Sequence, residues 1–297
     1  MEFHVEQNKI LIPDNTYFSA EKTLTCGQIF RYRKAENAAD CESVWEVLSA
    51  DQRARIYERG RESVIECSDP DYFINYFDLT EEYAGIESEV LRRAGSGREA
   101  DFMRRAVGFG RGIRILRQDF FETVIGFIIS ANNNIKRIQG IVERLCAAAG
   151  KDTGGFFAFP AVGTLAISDE KFYNSIGAGY RSRYIGRAAA LLQAANPADP
   201  RALNPDGLRR MNPSDAARLL LELPGVGPKV ADCILLFACR NTAAFPVDTW
   251  IAQCYGAYFE DGATDRKYIR ARLAERFGGV SGFAQQYMFH YHRTFNN

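Results

Sequence analysis

The sequence predicts an α+β protein, in which an antiparallel β-sheet region precedes an α-helical region. The first hundred residues contain segments that alternate apolar and polar side chains, as half-buried antiparallel strands do. From about residue 112 onward, apolar residues instead recur at helical spacing. We therefore expect two domains, a sheet domain over residues 1–111 and a helical domain over residues 112–297.

The strands are predicted in three segments of the first region, and one helix follows them. Each strand segment carries apolar residues at alternate positions, and the segments are "QIFRYRK", "SVWEVLSADQRARIYER" and "SVIECSD". The helix is predicted over "DPDYFINYFD". The glycine-containing stretch "RAGSGREA", residues 93–100, indicates a loop.

Eight helices are predicted in the second region. The first begins with Asp119 as its N-cap, has Glu122 three residues later, and stops at three consecutive asparagines. The eight segments are "DFFETVIGFIIS", "NIKRIQGIVERLCAAAG", "SRYIGRAAALLQAAN", "NPSDAARLLLEL", "KVADCILLFA", "VDTWIAQCYGAYF", "DRKYIRARLAERFG" and "GFAQQYMFHYHRTF".

Size and composition exclude several classes of protein. With 297 residues, of which 46% are apolar and 25% charged, the chain has the composition of a globular protein with a substantial core. No apolar run approaches the roughly 20 residues that span a bilayer. No basic start followed by an apolar core marks a secretory signal. We therefore expect a soluble intracellular protein with no membrane partner.

Seven cysteines stand at dispersed positions without a CxxC pair. An odd number without paired spacing argues against a disulfide framework and against a zinc ribbon. The lack of a tight cluster argues against an iron–sulfur centre. We expect reduced, mostly buried thiols and no iron–sulfur cluster.

The net charge of zero hides an asymmetry along the chain. Residues 1–100 carry 12 basic and 20 acidic side chains, whereas residues 101–297 carry 25 basic and 17 acidic ones. Arginine supplies 29 of the 37 cations, and its planar fork suits phosphates and stacking. The basic second region is therefore suited to hold a polyanion.

The stretch "LELPGVGPKVADCILLFA", residues 221–238, places a lysine at the start of an apolar helix. Gly225 and Gly227 permit a tight turn, and amide groups at such a helix start can bind a phosphate. Partial burial and the positive end of the helix both favour the neutral form of the Lys229 amine, which is a nucleophile. For the turn, the alternative is an ordinary helical corner. For Lys229, the alternative is a side chain that extends from a buried helix to bind a phosphate.

A carboxylate follows nineteen residues later, in "AAFPVDTWIA". Asp248 stands after a proline and a valine as the N-cap of another apolar helix, and most such residues are only caps. A carboxylate held by backbone N–H groups can also face a developing positive charge. An amine and a fixed carboxylate, both at helix N-termini, suit the displacement of a base at a sugar C1′ through a Schiff base.

These motifs together resemble the helix–hairpin–helix/Gly-Pro-Asp superfamily of DNA glycosylases, and within it the 8-oxoguanine DNA glycosylase/lyase family. The matching segments follow the family's order over nearly the whole chain: "CGQIFRY", "SANNNIKRIQGIVERLC", "GAGYRSRYI", "LPGVGPKVADCILLFA", "FPVDTWIAQ" and "GFAQQYMF". The resemblance implies a twisted antiparallel sheet packed on a helical helix–hairpin–helix core that carries the active site. It also implies base-excision repair of 8-oxoguanine opposite cytosine, followed by an AP-lyase step. The short chain resembles a bacterial member.

The resemblance also implies roles for single residues. Lys229 is the nucleophile and Asp248 is its electrostatic partner. Four residues are implied for the pocket of the extruded base, namely Gly27 for its N7–H, Cys233 for its wall, Gln285 for its edge and Phe289 for stacking. The carbonyl of Gly27 suits 8-oxoguanine because N7 is a donor there and an acceptor in guanine. Ordinary core and surface roles are the alternatives for these residue types.

Further residues are implied for the DNA around the extruded base. Asn132 and Tyr180 fill or wedge the vacated space, and Arg137 and Arg181 read the orphaned cytosine. Phosphate contacts are implied in the hairpin, at Gly225, Gly227 and Val230. A structural cation is implied at three hairpin carbonyls, those of Leu221, Leu223 and Val226.

The sequence departs from the family at one position and leaves two alternatives open. Some members carry a histidine shortly after the aspartate, where this chain has Thr249 and Trp250. The alternatives are a glycosylase of other base specificity and a non-enzymatic helix–hairpin–helix DNA-binding module. The joint presence of Lys229 and Asp248 argues against the second. We expect a monomer that acts on double-stranded DNA without a catalytic cofactor, in the cytoplasm (on the nucleoid if bacterial, in the nucleus if eukaryotic).

Overall fold

The computed structural model describes residues 1–36, 40–195 and 203–296, and it confirms the α+β fold. Its sheet has six strands in the order β1-β2-β6-β5-β4-β3, and every neighbouring pair is antiparallel. The strands are β1 (His4–Glu6), β2 (Lys9–Ile12), β3 (Tyr32–Lys34), β4 (Ser43–Ser49), β5 (Gln52–Arg59) and β6 (Glu62–Cys67).

The longest strands form a hairpin, β4 with β5, that turns at Ala50 and Asp51. Trp45 lies opposite Ile56 in this pair and both are buried, as the alternating pattern predicts. Of the predicted segment over residues 28–34, only residues 32–34 form a strand, β3, and residues 28–31 precede it. The other two predicted segments correspond to β4, β5 and β6. β1 and β2 are additional strands, each too short for an alternating pattern to be recognised.

The described residues form fifteen α-helices, and the eight predicted in the second region are α5, α6, α9 and α11 to α15. The predicted end of α9, at residue 196, lies outside the described residues. None of the described helices combines the length and the apolar composition that crossing a membrane requires. The helices are α1 (Ala20–Thr25), α2 (Pro70–Tyr76), α3 (Tyr83–Ala94), α4 (Arg98–Gly110), α5 (Phe120–Ser130), α6 (Ile135–Ala149), α7 (Val162–Ile167), α8 (Glu170–Ser175), α9 (Ser182–Ala194), α10 (Pro205–Arg210), α11 (Pro213–Leu220), α12 (Pro228–Phe237), α13 (Thr249–Tyr258), α14 (Arg266–Phe277) and α15 (Ser281–Asn296).

The helices begin earlier in the chain than the sequence pattern predicts. Residues 83–110 form α3 and α4, so that the loop predicted over residues 93–100 is limited to residues 95–97. α4 buries Phe102 and Met103 and packs along α15. The division of the chain into domains at residue 111 stays a prediction.

Two hydrophobic cores stabilise the molecule. The smaller one lies between the sheet and α1 and α2, and it is centred on Ile10, Ile56 and Phe73. The larger core lies among the helices from α3 through α15, and it includes nearly all residues of α12. All seven cysteines are free thiols, and six of them are buried.

A buried ion cluster joins the sheet region to α5 and α6. The Arg31 side chain is 1% exposed, and its Nη1 lies 3.9 Å from Oε2 of Glu122 while its Nε lies 3.5 Å from Oε1 of Glu143. Arg31 also donates to the carbonyls of Ala50 and Phe157. Glu122 accepts from the Ala50 amide at 2.7 Å. Burial raises the pKa of Glu122 to about 7, and the Arg31 charge opposes part of that rise.

This cluster makes stability depend on pH. Because the Glu122 pKa is raised on folding, its favourable contribution is complete below about pH 4.5 and is lost as pH rises through about 7. We expect the free energy of unfolding to fall by about 3 kcal/mol on this account between pH 5 and pH 8. In a Glu122→Gln variant that part of the fall should be absent. Urea denaturation of both proteins at the two pH values measures it, and equal pH dependence would contradict the prediction.

Candidate active site

The hairpin joins α11 to α12 through residues 221–227. Gly225 has φ +85°, and a Cβ there would lie 2.9 Å from Cβ of Tyr184, so the turn and its packing on α9 both require glycine. Gly227 is the N-cap of α12 and provides no side-chain cap. A Cβ on Gly227 would meet no described atom within 4 Å. No side chain therefore caps the first amides of α12, the arrangement found at anion-binding helix N-termini.

Lys229 lies in the first turn of α12 and is half-buried. Its Nζ lies 4.8 Å from the centroid of the Phe127 ring, whose face attracts the ammonium. Phe127 is itself held in place, since it stacks on Phe237 at 5.7 Å and meets Phe30 edge-on at 5.3 Å. This aromatic group fixes the position of the amine.

Asp248 is the N-cap of α13, as predicted. Its Oδ1 accepts from the Ile251 amide at 2.9 Å, which leaves Oδ2 for a second task. At the position where the sequence departs from the family, Thr249 accepts from Arg266 at 2.9 Å. The Trp250 ring packs edge-on against His292 with centroids 6.3 Å apart. Trp250 therefore belongs to an aromatic contact between α13 and α15.

One pocket contains all six residues predicted for catalysis and for the base. Its walls come from four separated parts of the chain, which are the end of α1, α5, the α12–α13 region and α15. The six residues are Gly27, Lys229, Cys233, Asp248, Gln285 and Phe289. Sequence reasoning missed five further lining residues, which are Cys26, Phe127, Phe237, Pro246 and Gln286.

Gly27 and Phe289 form one side of this pocket. Gly27 has φ +85°, a conformation that favours glycine, and a Cβ there would lie 3.0 Å from Cε1 of Phe289. The backbone of Gly27 therefore approaches the edge of the ring more closely than any other residue type permits. Phe289 remains partly exposed on α15 and lines the pocket.

A pair of buried glutamines lies one turn earlier on α15. Gln285 and Gln286 are 4% and 3% exposed, so their amide groups must find partners within the fold or in a ligand. Nε2 of Gln286 donates to Oε1 of Gln285 at 2.6 Å. This bond orients the Gln285 amide, and it leaves the Gln285 amide nitrogen as a donor for the pocket. The repeated glutamine was the only sequence signal for this support.

Cys233 lies one turn after Lys229 and is buried. Burial raises its pKa to about 11, while the Lys229 charge lowers it and the Asp248 charge raises it. Lys229 and Asp248 are thus both close enough to Cys233 to affect its thiol. At neutral pH the thiol is protonated and forms a compact apolar wall.

A Gly27→Ala variant should lose activity because the methyl group enters the space of Phe289. We expect a fall in base excision of about tenfold or more, with roughly 1–2 kcal/mol of stability lost through left-handed strain. Gly60→Ala is a matched control, since Gly60 has φ +57° and open space around a Cβ. Single-turnover excision assays on both variants measure the difference. Equal effects would show that strain alone is responsible.

The residues predicted for the DNA gap lie around the turn between α5 and α6. Asn132 and Arg137 are exposed, and Asn132 has φ +53°. Asn134 caps α6 by accepting from the Arg137 amide at 3.0 Å. Tyr180 is 52% exposed, and its hydroxyl donates to the Ala131 carbonyl at 3.1 Å. An exposed aromatic ring beside an exposed asparagine can enter a base stack.

Arg181 is buried, unlike Asn132, Arg137 and Tyr180. It is 3% exposed, and its Nε donates to the Ala131 carbonyl at 2.9 Å while its Nη2 donates to the Asn132 carbonyl at 3.0 Å. The guanidinium also lies 4.5 Å from the centroid of the Tyr180 ring. Before Arg181 can read a cytosine, these bonds to the turn must break. Its predicted contact with cytosine stays a prediction.

The predicted cation site involves the same hairpin. Leu221 is 44% exposed, Leu223 and Val226 are buried, and the Leu223 carbonyl accepts from the Val226 amide at 3.0 Å. Among the described residues, no cluster of three histidine, cysteine, aspartate or glutamate side chains offers a metal site. A cation at the hairpin carbonyls and a phosphate on Gly225, Gly227 and Val230 stay predictions.

In a chain that also carries an antiparallel sheet, a helix–hairpin–helix element with a lysine at its second helix lies beside an aspartate N-cap, and both line one pocket with residues from the end of α1 and from α15. This combination defines the class of helix–hairpin–helix DNA glycosylases. Residues 9–124 match the family model described as "8-oxoguanine DNA glycosylase, N-terminal domain".

Similar proteins support a narrower assignment. The chain is 36% identical over 208 residues to the N-glycosylase/DNA lyase OGG1 of Arabidopsis thaliana, a match that covers 64% of this chain and 56% of that protein. It is 38% identical over 208 residues to a probable N-glycosylase/DNA lyase of Methanothermobacter thermautotrophicus, with 62% and 64% covered. These matches span less than two thirds of either relative.

A solved structure aligns over the full length. The Clostridium acetobutylicum 8-oxoguanine glycosylase/lyase, bound to double-stranded DNA with cytosine opposite 8-oxoguanine, is 32% identical and has a TM-score of 0.87. The alignment covers 100% of this chain and 99% of that one. The chain belongs to the 8-oxoguanine DNA glycosylase/lyase family.

Proposed function

We propose that this protein excises 8-oxoguanine paired with cytosine from double-stranded DNA and then cleaves the strand by β-elimination. The observation that carries the proposal is the single pocket that gathers Lys229, Asp248 and four residues suited to a flat base from three parts of the chain. The Clostridium relative binds DNA that contains this base pair. A DNA-binding module has no use for a lysine and a carboxylate in one pocket.

The chemistry follows from the two helix N-termini. The C1′–N9 bond breaks, and the base leaves with the electron pair and takes up a proton, while Asp248 stabilises the positive charge that develops on the sugar. The neutral Lys229 amine forms a bond to C1′ and gives up one proton. The C1′–O4′ bond of the sugar ring then breaks, O4′ takes up a proton, and the nitrogen and C1′ form a protonated imine. Loss of a C2′ proton then breaks the bond between C3′ and the 3′ phosphate, and hydrolysis of the imine releases the enzyme.

The pocket supplies recognition in this proposal. Extrusion of the base places it against Phe289, with its N7–H toward the Gly27 carbonyl and its pairing edge toward Gln285. The N7–H is the group that separates 8-oxoguanine from guanine. Cys233 closes the opposite wall.

The remaining contacts hold the DNA. Tyr180 and Asn132 fill the space that the extruded base leaves in the DNA stack. Arg137 binds the unpaired cytosine, and Arg181 joins it once its bonds to the turn between α5 and α6 have broken. The open N-terminus of α12 holds a backbone phosphate, with a structural cation at the hairpin carbonyls. The protein acts as a monomer, without a catalytic cofactor, wherever the cell keeps its DNA.

The proposal is tested with duplexes that differ at one base pair. We expect excision and strand cleavage from 8-oxoguanine:cytosine without heat or alkali, and a covalent complex when borohydride is present. A guanine:cytosine duplex should stay intact, and 8-oxoguanine:adenine should react more slowly. Tight binding without excision from any damaged duplex would instead favour the DNA-binding module. Reaction with another damaged base alone would show a different specificity.

A further inference from the structure

Arg293 lies behind the base pocket without lining it. Its guanidinium carbon lies 5.0 Å from the centroid of the Phe289 ring, one helical turn earlier on α15. Its Nη2 donates to the carbonyl of Thr25, at the end of α1, at 2.5 Å. One side chain thus contacts the two separate segments that form this side of the pocket.

The second terminal nitrogen of Arg293, Nη1, lies against the backbone of Gly27. A Cβ placed on Gly27 would be 3.3 Å from Nη1, and that nitrogen is buried without a hydrogen-bond partner among the described residues. A buried N–H without a partner destabilises the folded protein. An arginine with an unpaired buried nitrogen is retained where its packing serves another role. The guanidinium therefore packs against both the Gly27 backbone and the Phe289 ring.

The geometry points to Arg293 as a positioning residue for base recognition, which sets the distance between the Gly27 carbonyl and the Phe289 ring. The planar guanidinium stacks on one face of the ring and leaves the other face for the base. Its bond to the Thr25 carbonyl ties the segment that ends in Gly27 to α15. This inference rests on the proposed function, because it concerns how the same pocket recognises its base.

A purely structural role makes a different prediction. If Arg293 only stabilised the fold, its loss would lower every activity of the protein in proportion to the folded fraction. If it positions the pocket, its loss should affect only the step that requires a base in the pocket. The β-elimination at an abasic site uses Lys229 but has no base to recognise, so the two steps separate the two roles.

We therefore compare Arg293→Met with the unmodified protein in two single-turnover assays. Methionine keeps much of the apolar stem and removes both the guanidinium stacking and the bond to Thr25. We expect excision of 8-oxoguanine opposite cytosine to fall by about 10- to 100-fold. Cleavage of a preformed abasic site opposite cytosine should change by less than about twofold. Arg293→Lys, which keeps a charge but not the planar fork, should lie between the two proteins in excision.

Arg276→Met is the matched control. Arg276 also donates to backbone carbonyls, including that of Ala94 at 2.6 Å, and lies 5.5 Å from the Phe259 ring, but it is remote from the pocket. Its loss should leave the ratio of excision to abasic-site cleavage unchanged. Equal loss of both activities in Arg293→Met, or no loss of either, would overturn the inference. Lack of excision by the unmodified protein would overturn the proposed function instead.

Discussion

A Lys229→Gln variant should form no borohydride-trapped complex with an 8-oxoguanine:cytosine duplex. Its rate of base excision should fall by roughly 1,000-fold or more, because glutamine has no amine to bond to C1′. The glutamine side chain still fits over the Phe127 ring, where the ammonium now lies. Affinity for the duplex, measured by fluorescence anisotropy, should therefore change far less than the rate.

A matched lysine tests whether the effect belongs to this position. Lys267 lies exposed at the start of α14, and Lys267→Gln removes the same charge from the whole protein. That variant should be trapped as efficiently as the unmodified protein. A covalent complex that persists in Lys229→Gln would show that another amine attacks the sugar, and it would remove the main argument for the active site.

The second large effect concerns the helix that carries this lysine. Asp232 on α12 is 1% exposed, and both its oxygens bind Arg270 of α14, at 2.5 and 2.6 Å. We expect Arg270→Met to lower the free energy of unfolding by about 3 kcal/mol at pH 8, because it leaves a buried carboxylate without a partner. Urea denaturation measures this loss.

The loss should be smaller at pH 5. Burial raises the pKa of Asp232 and Arg270 opposes that rise, so removing the arginine lets the carboxyl take up a proton as the pH falls. Adding Asp232→Leu to Arg270→Met should restore most of the stability, since two apolar side chains often replace a buried pair at little cost. The exposed pair of Arg272 with Glu275 gives the control, and Arg272→Met should change stability by less than about 1 kcal/mol. An equal loss in both single variants would contradict the prediction.

The parts of the active site that the sequence predicted share a local signal. Lys229 and Asp248 both stand at helix starts marked by proline, glycine or a capping carboxylate, and such starts depend on neighbouring residues only. The placement of Gly27, Gln285 and Phe289 in the same pocket came from the family resemblance. No period or spacing in the chain links residues so far apart.

The features that the sequence did not predict are mostly long-range pairs. Arg293 meets the Thr25 carbonyl across 268 positions, and Arg270 meets Asp232 across 38, so neither partner is visible from the other. The missed helices α3 and α4 are a different case. Their apolar residues do recur at helical spacing, but charged residues between them and a glycine-containing loop hid the pattern.

The strand lengths determine how much of the sheet edge is free to pair with another chain. The outermost strands, β1 and β3, have three residues each, while the central β5 has eight. The outer strands also carry charged side chains, including Glu6, Arg33 and Lys34. A short, charged rim offers few free amide and carbonyl groups to a strand from another copy. The edges of the folded sheet therefore disfavour edge-to-edge pairing between copies of the chain.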